Sequence, residues 1–397
     1  MINEKKRELG ARRSAIREIF EYGLKRKAEI GAENVFDFSL GNPSVPAPDA
    51  VNEELRRLID GLPSVSLHGY TSAGGDLSVR RAVAEYITKT QGYPALASDL
   101  YMTVGAAAAL TSTLGALVSE GEEVMLLSPY FPEYRVFAES VGATVVEVEC
   151  RKSDFHPDVA AIAGAITEKT AAIIINSPNN PTGAVYNEDE IKEIAAVLTA
   201  AAEKYGHPIY LIADEPYREL VYGDAVVPFI PKLYKNTVVC YSFSKSLSIP
   251  GERIGYVLVP RDMEDKTAVY DAVAGAARSF GYVCAPSLLQ KMLPGVLGLT
   301  SDIAVYDENR RVLYSELTRL GFDMIAPDGA FYMFMKSPIQ DANEFCEAAK
   351  KHELLLVPSD SFGVKGYVRI SYCVDLGMIE RSLPAFAALA AEYRQGE

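Results

Sequence analysis

Three short runs constrain most strongly what this chain can fold into: AAIIINSP (171–178), PIYLIADE (208–215) and NTVVCYSFS (236–244). Each is almost continuously apolar and each stops at polar residues. A strand with one face in water alternates apolar and polar positions, so a run without alternation belongs to a strand covered on both faces. LYMTV (100–104), EEVMLLSP (122–129) and ATVVEVEC (143–150) also read as strands. Helical patterns lie between them, at AVAEYITKT (82–90) and at AAAALTSTLGALV (106–118), the latter opened by Gly105. Strands alternating with helices predict an α/β fold, with a mainly parallel sheet covered on both faces.

Beyond residue 300 the pattern changes. DENRRVLYSELTRLGF (307–322) reads as a long helix, and GAFYMFMKSP (329–338), ELLLVPSDSFG (353–363) and GYVRISYC (366–373) read as strands of a smaller α+β unit. The expected arrangement is a large domain over 44–300 and a small one built from 1–43 and 301–397. A length of 397 residues accommodates both.

The formal net charge of −14 argues against nucleic acid or an anionic membrane as the main partner. No apolar run approaches the ~20 residues of a membrane span. The basic N-terminal stretch is interrupted by Glu4, Glu8, Glu18 and Glu21, with no apolar core behind it. It reads as an amphipathic surface helix rather than a signal peptide or a mitochondrial presequence. Five scattered cysteines without a CxxC pair suit a reduced, cytoplasmic protein. The four histidines have no metal-ligand spacing, so no metal site is expected.

The polar residues gather where the apolar strands end, which is where open α/β sheets bind ligands. In SFSKSLSIPGER (242–253), Lys245 follows a buried strand. Taken alone it reads as a solvated end residue. A lysine partly removed from water instead has a lowered pKa and can attack a carbonyl to form a Schiff base. Ser242, Ser244 and Arg253 around it supply hydroxyls and a guanidinium suited to a phosphate. Pyridoxal 5′-phosphate carries both an aldehyde and a phosphate. Its pyridine nitrogen requires a buried carboxylate, for which Asp214 is the candidate, although taken alone Asp after a strand reads better as a helix N-cap. Tyr217 and Asn180 could donate to the ring oxygen, while NNPTG (179–183) alone is a turn signal. Gly105, Ala106 and Ala107 offer backbone N–H groups at a helix start for the phosphate.

Together these residues resemble the fold-type I pyridoxal-phosphate aminotransferases of class I/II, the aspartate aminotransferase-like group. The resemblance covers nearly the whole chain, through LGNPS (40–44), YTSAGG (70–75), SPYFPEY (128–134), NNPTG, DEPY (214–217), SFSKS (242–246) and VRIS (368–371) in that order. It implies a seven-stranded, mainly parallel sheet of the pyridoxal-phosphate transferase fold. It implies Lys245 as the Schiff-base lysine that also moves the proton at Cα, Asp214 as partner of the pyridine nitrogen, and Asn180 and Tyr217 as ligands of the ring oxygen. Phe131 looks like the aromatic that stacks on the ring. Ser242, Ser244, Arg253, Ala106 and Ala107 look like the phosphate cup, with Ala107 standing where some members carry a hydroxyl. Tyr70 resembles the tyrosine that reaches the phosphate from the neighbouring subunit, which implies a homodimer with shared sites.

Arg369 looks like the binder of the substrate α-carboxylate, with the N–H of Gly41 nearby; taken alone, an arginine in such a strand is a surface residue. In AARSFGYVCAPS (276–287), Arg278 occupies the region of a second, side-chain-reading arginine. It lies two residues further from the proline than the family pattern, and Ala285 replaces the usual asparagine. Arg278 therefore reads equally as a dicarboxylate binder and as a surface arginine.

The implied activity is ping-pong transfer of an amino group from an L-amino acid, with aspartate one candidate, to a 2-oxo acid, for which 2-oxoglutarate is expected. The alternative on the same apparatus is a carbon–sulfur β-lyase. A transcription regulator with an aminotransferase-like sensor would carry a winged-helix domain in front, and the family pattern here begins by about residue 36.

Overall fold

The apolar runs assemble side by side into one sheet. In the computed structural model, which describes residues 2–11 and 15–394, β1 (Phe36–Asp37) lies apart from it. The next seven strands build the sheet: β2 (Leu100–Thr103), β3 (Glu123–Ser128), β4 (Thr144–Glu149), β5 (Thr170–Asn176), β6 (Tyr210–Asp214), β7 (Thr237–Ser242) and β8 (Gly255–Leu258). Their spatial order is β2-β8-β7-β6-β5-β3-β4. The five strands from β7 to β4 run parallel, and β8 is antiparallel to both β7 and β2.

Each parallel step needs a crossover, and the intervening helices supply most of them. Their apolar stripes explain the missing alternation in the strands. Ile173 and Ile175 of β5 pack on one face with Ile191, Ile194 and Leu198 of the helix Glu188–Tyr205. Ala172 and Ile174 pack on the other with Leu110 and Leu114 of the helix Ala106–Leu117. Fully burying one such Leu or Ile contributes about 1.5–3 kcal/mol. The helix Glu188–Tyr205 is fixed at its start by a reciprocal capping box between Asn187 and Glu190.

β8 is absent from the strands expected from sequence. At four residues, GYVL is too short to display a period. Gly255 opens it because a Cβ there would stand 2.2 Å from the carbonyl oxygen of Tyr241 on β7.

The later strands form two small sheets. β9 (Tyr332–Lys336), β11 (Val357–Pro358) and β12 (Tyr367–Ser371) make an antiparallel sheet in the order β11-β12-β9, while β10 (Leu354–Leu355) pairs in parallel with β1. The run ELLLVP, expected as one strand, is thus divided between two sheets. Phe331, Phe345 and Phe386 are fully buried beneath them. Tyr217, Leu220 and Tyr222, which follow β6, join the same apolar cluster, so the segment after Asp214 bridges the large sheet and the small ones.

The expected N-terminal surface helix appears as two helices, Glu4–Ala11 and Ala15–Ile30; Met1 and residues 12–14 lie outside the described residues, as do 395–397 of the expected small domain. The first helix buries no side chain, and the second buries Ile19. Lys27 and Asp37, 2.8 Å apart, tie the second helix to β1.

Candidate active site

β5, β6 and β7 end at Asn176, Asp214 and Ser242, which face one cleft, and Phe131, three residues beyond the end of β3, joins them. A cavity of about 300 Å³ opens there, lined by Lys245, Asp214, Asn180, Tyr217, Arg253 and Arg369. Gly41, Ala106, Ala107, Phe131, Ser242 and Ser244 line it as well. Residues more than three hundred positions apart are therefore gathered around one small space. Three cations and a single carboxylate face it, in a protein of net charge −14.

Lys245 lies three residues beyond β7. Its Nζ donates to the carbonyl oxygen of Gly41 at 2.7 Å and stands 5.4 Å from the ring centre of Phe331. Burial pushes its ammonium down to about 8, and the positive charges of Arg253 and Arg369 add to that shift. The neutral amine, which is the nucleophilic form, is therefore accessible near physiological pH.

Asp214 closes β6. Burial drives its carboxyl up to about 7, opposed by the hydroxyl of Tyr134, which donates to Oδ2. Oδ1 is buried and has no partner. The main chain here is locked from the neighbouring strand: Asn176 Nδ2 donates to the Asp214 carbonyl at 2.9 Å, and Asn176 Oδ1 accepts from the Asn180 N–H at 2.8 Å. Asp214 is thus held in position with one carboxylate oxygen left for a donor in the cavity. Phe131 meets Tyr134 edge-on at 5.6 Å. The Tyr217 hydroxyl lies 2.9 Å from that of Tyr332.

At one end of the cavity the helix Ala106–Leu117 begins, with Gly105 at φ 84° as its N-cap. Its first N–H groups have no acceptor within the helix, and the helix dipole favours an anion there. A Cβ on Gly105 would stand 2.5 Å from Nη2 of Arg253, so glycine is what lets the guanidinium reach the helix start. Arg253, itself at φ 52°, donates to Ser244 Oγ at 3.3 Å, and Ser244 Oγ lies 2.7 Å from Ser242 Oγ.

At the other end Arg369 is almost completely buried. Nη2 donates to the Ser39 carbonyl at 2.6 Å and Nη1 to Asn180 Oδ1 at 3.1 Å, while Nε has no partner. Burial lowers its pKa, and no carboxylate among the described residues forms an ion pair with it. A buried guanidinium with unused donors suits a carboxylate.

Three expected residues do not line this cavity: Gly105 caps the helix behind it, and Tyr70 and Arg278 lie at the surface. Tyr70 is 99 % exposed, and Arg278 is exposed near the end of the helix Lys266–Ser279. Four others went unnoticed in the sequence: Ser39, Tyr134, Asn176 and Tyr332. Asn176 could have been found, because it is the first polar residue after AAIII. Tyr134 and Tyr332 sit among other aromatic and apolar residues, where only side-chain direction reveals a role.

The arrangement offers a helix start with Arg253 that suits an anion at one end, and the buried guanidinium of Arg369 that suits a carboxylate at the other. Between them stand a nucleophilic amine and a buried carboxylate with a free oxygen. It suits a ligand with a phosphate and a cationic ring nitrogen, joined to a second molecule bearing a carboxylate.

The comparisons with known proteins agree with this chemistry. The family model "Aminotransferase class I and II" matches residues 33–386. The aspartate aminotransferase of Pyrococcus horikoshii is 31% identical over 377 residues, covering 92% of each chain. A probable N-acetyl-LL-diaminopimelate aminotransferase of Bacillus subtilis is 28% identical over 96% of this chain and 95% of its own. An amino transferase structure from Eubacterium rectale superposes with a TM-score of 0.97 at 53% identity, covering 99% of both chains. Aspartate aminotransferase from Thermus thermophilus with maleate superposes at 0.85 with 26% identity, over 96% of this chain and 98% of that one.

Proposed function

The chain belongs to the class I and II aminotransferases, and from that premise we propose that its cavity holds pyridoxal 5′-phosphate and that Lys245 is its covalent anchor. The observation that carries this reading is the pairing of Asp214 with Lys245. A buried carboxylate oxygen without a partner and an amine held near 8 line one cavity. The unpartnered oxygen suits a protonated ring nitrogen, and the helix start with Arg253, Ser242 and Ser244 suits the phosphate.

When bound, the cofactor supplies an aldehyde that carries the amino group between an L-amino acid and a 2-oxo acid in two half-reactions. The chain's own residues do the rest. Arg369 takes the α-carboxylate, with its unused Nε as an additional donor, and Asn180 fixes the guanidinium. Lys245, once free, is held by the Gly41 carbonyl and moves the proton at the substrate Cα. Asp214, ionised against the ring nitrogen, stabilises the charge that develops during that transfer. Tyr217 and Asn180 donate to the ring oxygen, and Phe131 covers the ring face.

The same proposal extends to assembly and place. The full exposure of Tyr70 supports its acting on the phosphate of an adjacent copy in a homodimer, and Arg278 of the partner subunit is the candidate reader of a substrate side-chain carboxylate. That would favour aspartate as donor and 2-oxoglutarate as acceptor, the donor named for the relatives from Pyrococcus horikoshii and Thermus thermophilus. The separate sheets support a large unit over 44–300 and a small one over 1–43 and 301–397. Among the described residues no helix is long and apolar enough to cross a membrane, and five free cysteines support a cytoplasmic setting.

Borohydride reduction followed by peptide mapping tests the reading. A phosphopyridoxyl group on Lys245 is expected. A label on another lysine, or no bound cofactor, overturns it.

A further inference from the structure

Tyr332 lies where the two ends of the site meet, and none of the roles assigned above uses it. It is the first residue of β9, and β9 pairs with β12 so that Ser371 faces Tyr332 and Arg369 faces Phe334. Tyr332 and Arg369 are thus diagonal neighbours on one face of the small sheet. The guanidinium carbon of Arg369 stands 4.8 Å from the Tyr332 ring centre. At the far edge of the same ring, the hydroxyl lies 2.9 Å from the Tyr217 hydroxyl. A Cβ on Gly41 would stand 2.0 Å from the Tyr332 oxygen, so the glycine loop closes over it.

We propose that Tyr332 is a positioning residue with two separable actions: its hydroxyl sets how strongly Tyr217 donates to the cofactor's ring oxygen, and its ring holds Arg369 for the substrate carboxylate. This rests on the cofactor placement proposed above.

The first action follows from counting protons. Each phenol has one. With nothing else bound, either hydroxyl can donate to the other. Once Tyr217 gives its proton to the ring oxygen, only Tyr332 can be the donor between them. Tyr332 O–H then points to Tyr217, and Tyr217 O–H points to the cofactor. Such chains polarise, each bond strengthening the next. Tyr217 is faced by Asp214, Tyr332 and Arg369, and Tyr332 by Tyr217, Arg369 and Cys373. Burial outweighs the Arg369 charge at both phenols and pushes Tyr332 up to about 12, so both keep their protons at neutral pH.

The expected consequence is spectroscopic. A donor to the ring oxygen draws charge away from it and loosens the proton shared with the lysine nitrogen. Without Tyr332 O–H the oxygen is more basic and retains that proton to higher pH.

The test uses the reconstituted holoenzyme and three variants, Tyr332→Phe, Tyr332→Leu and Tyr217→Phe. Two quantities are read: the pH midpoint of the bound-cofactor absorbance, and the affinity for 3-phenylpropionate by calorimetry. Tyr332→Phe keeps the ring, so its packing is retained. It should raise the midpoint by roughly 0.3–1 unit while leaving 3-phenylpropionate affinity within about twofold. Tyr332→Leu should raise the midpoint similarly and also weaken 3-phenylpropionate by roughly three- to thirtyfold, the range of a lost cation–π contact. A midpoint unchanged in Tyr332→Phe but raised in Tyr217→Phe overturns the hydroxyl role alone. Equal 3-phenylpropionate affinity in Tyr332→Phe and Tyr332→Leu overturns the ring role. A midpoint unchanged in Tyr217→Phe as well overturns the cofactor placement, and this proposal with it.

Discussion

Tyr134 donates its hydroxyl proton to Oδ2 of Asp214, while Oδ1 of the same carboxylate is buried without a partner. The two oxygens therefore have different duties, one fixed by the protein and one left for the cavity. Tyr134 is itself fully buried, and burial keeps its pKa well above the ordinary phenol value, so it remains a donor. Removing it should push the Asp214 carboxyl still higher. Tyr134→Phe is expected to weaken cofactor binding about tenfold to more than a hundredfold, the loss of roughly 1.5–3 kcal/mol for a hydrogen bond to a charged group. The defect should be larger at pH 6 than at pH 9, because protonated Asp214 cannot pair with a cationic nitrogen. Equilibrium dialysis across that range decides it, and an equal affinity at both pH values would show that Tyr134 does not tune Asp214.

Lys245 and Asp214 also give the cofactor-free protein opposite pH responses. The Lys245 ammonium is held below its ordinary value, so the folded chain binds that proton less tightly than the unfolded one. Its stability cost is full at low pH and disappears as pH rises through the window from about 8 to 10.5. Asp214 has the opposite sign: its contribution is full at low pH and is lost as pH rises from 3.8 towards about 7. Apoprotein Lys245→Met should therefore melt about 2 °C or more above the unsubstituted apoprotein at pH 7, with the gap narrowing towards pH 10. A gap that does not change between those pH values would contradict a buried, charged Lys245.

Arg369 should act on every substrate alike, since the α-carboxylate is common to all. Arg369→Lys keeps the charge but loses the planar fork. A fall in kcat/KM of about ten- to more than a hundredfold is expected for all amino donors, equivalent to roughly 1.5–3 kcal/mol. Arg278→Ala should instead damage aspartate and glutamate and spare neutral donors. Steady-state kinetics on a panel of donors separates the two, and equal losses for acidic and neutral donors in Arg278→Ala would leave it a surface residue.

Shared sites predict complementation. Tyr70→Ala and Lys245→Ala chains should each be impaired alone. Mixed and reassembled, they form one site with Lys245 from one chain and Tyr70 of the partner subunit, and activity should return to about one quarter of wild type or less, allowing for statistical pairing and one intact site per hybrid. No recovery in verified hybrid dimers, or a fully active monomer on sedimentation, would contradict sharing.

The sequence by itself determined the large sheet, because continuous apolar runs such as AAIII can be satisfied only by covering both faces of a strand. It also exposed Asp214 and Ser242, each of which ends an apolar run, and the polar clusters just beyond such runs that hold Asn180 and Lys245. It could not show that β8 turns back antiparallel, or that ELLLVP serves two sheets, because segments of two to four residues are too short to carry a period. Nor could it separate Tyr134 and Tyr332 from the other tyrosines. Both lie in apolar surroundings where a phenol is as good a core residue as a hydrogen-bond donor, and composition cannot distinguish the two. Only the tertiary structure brought the Tyr134 hydroxyl to Asp214, eighty positions away, and the Tyr332 hydroxyl to Tyr217, one hundred and fifteen away. Tyr134 packs into the core of the large sheet and the segment after β6 into the core of the small ones, contacts set by shape and burial between distant parts of the chain rather than by any local pattern.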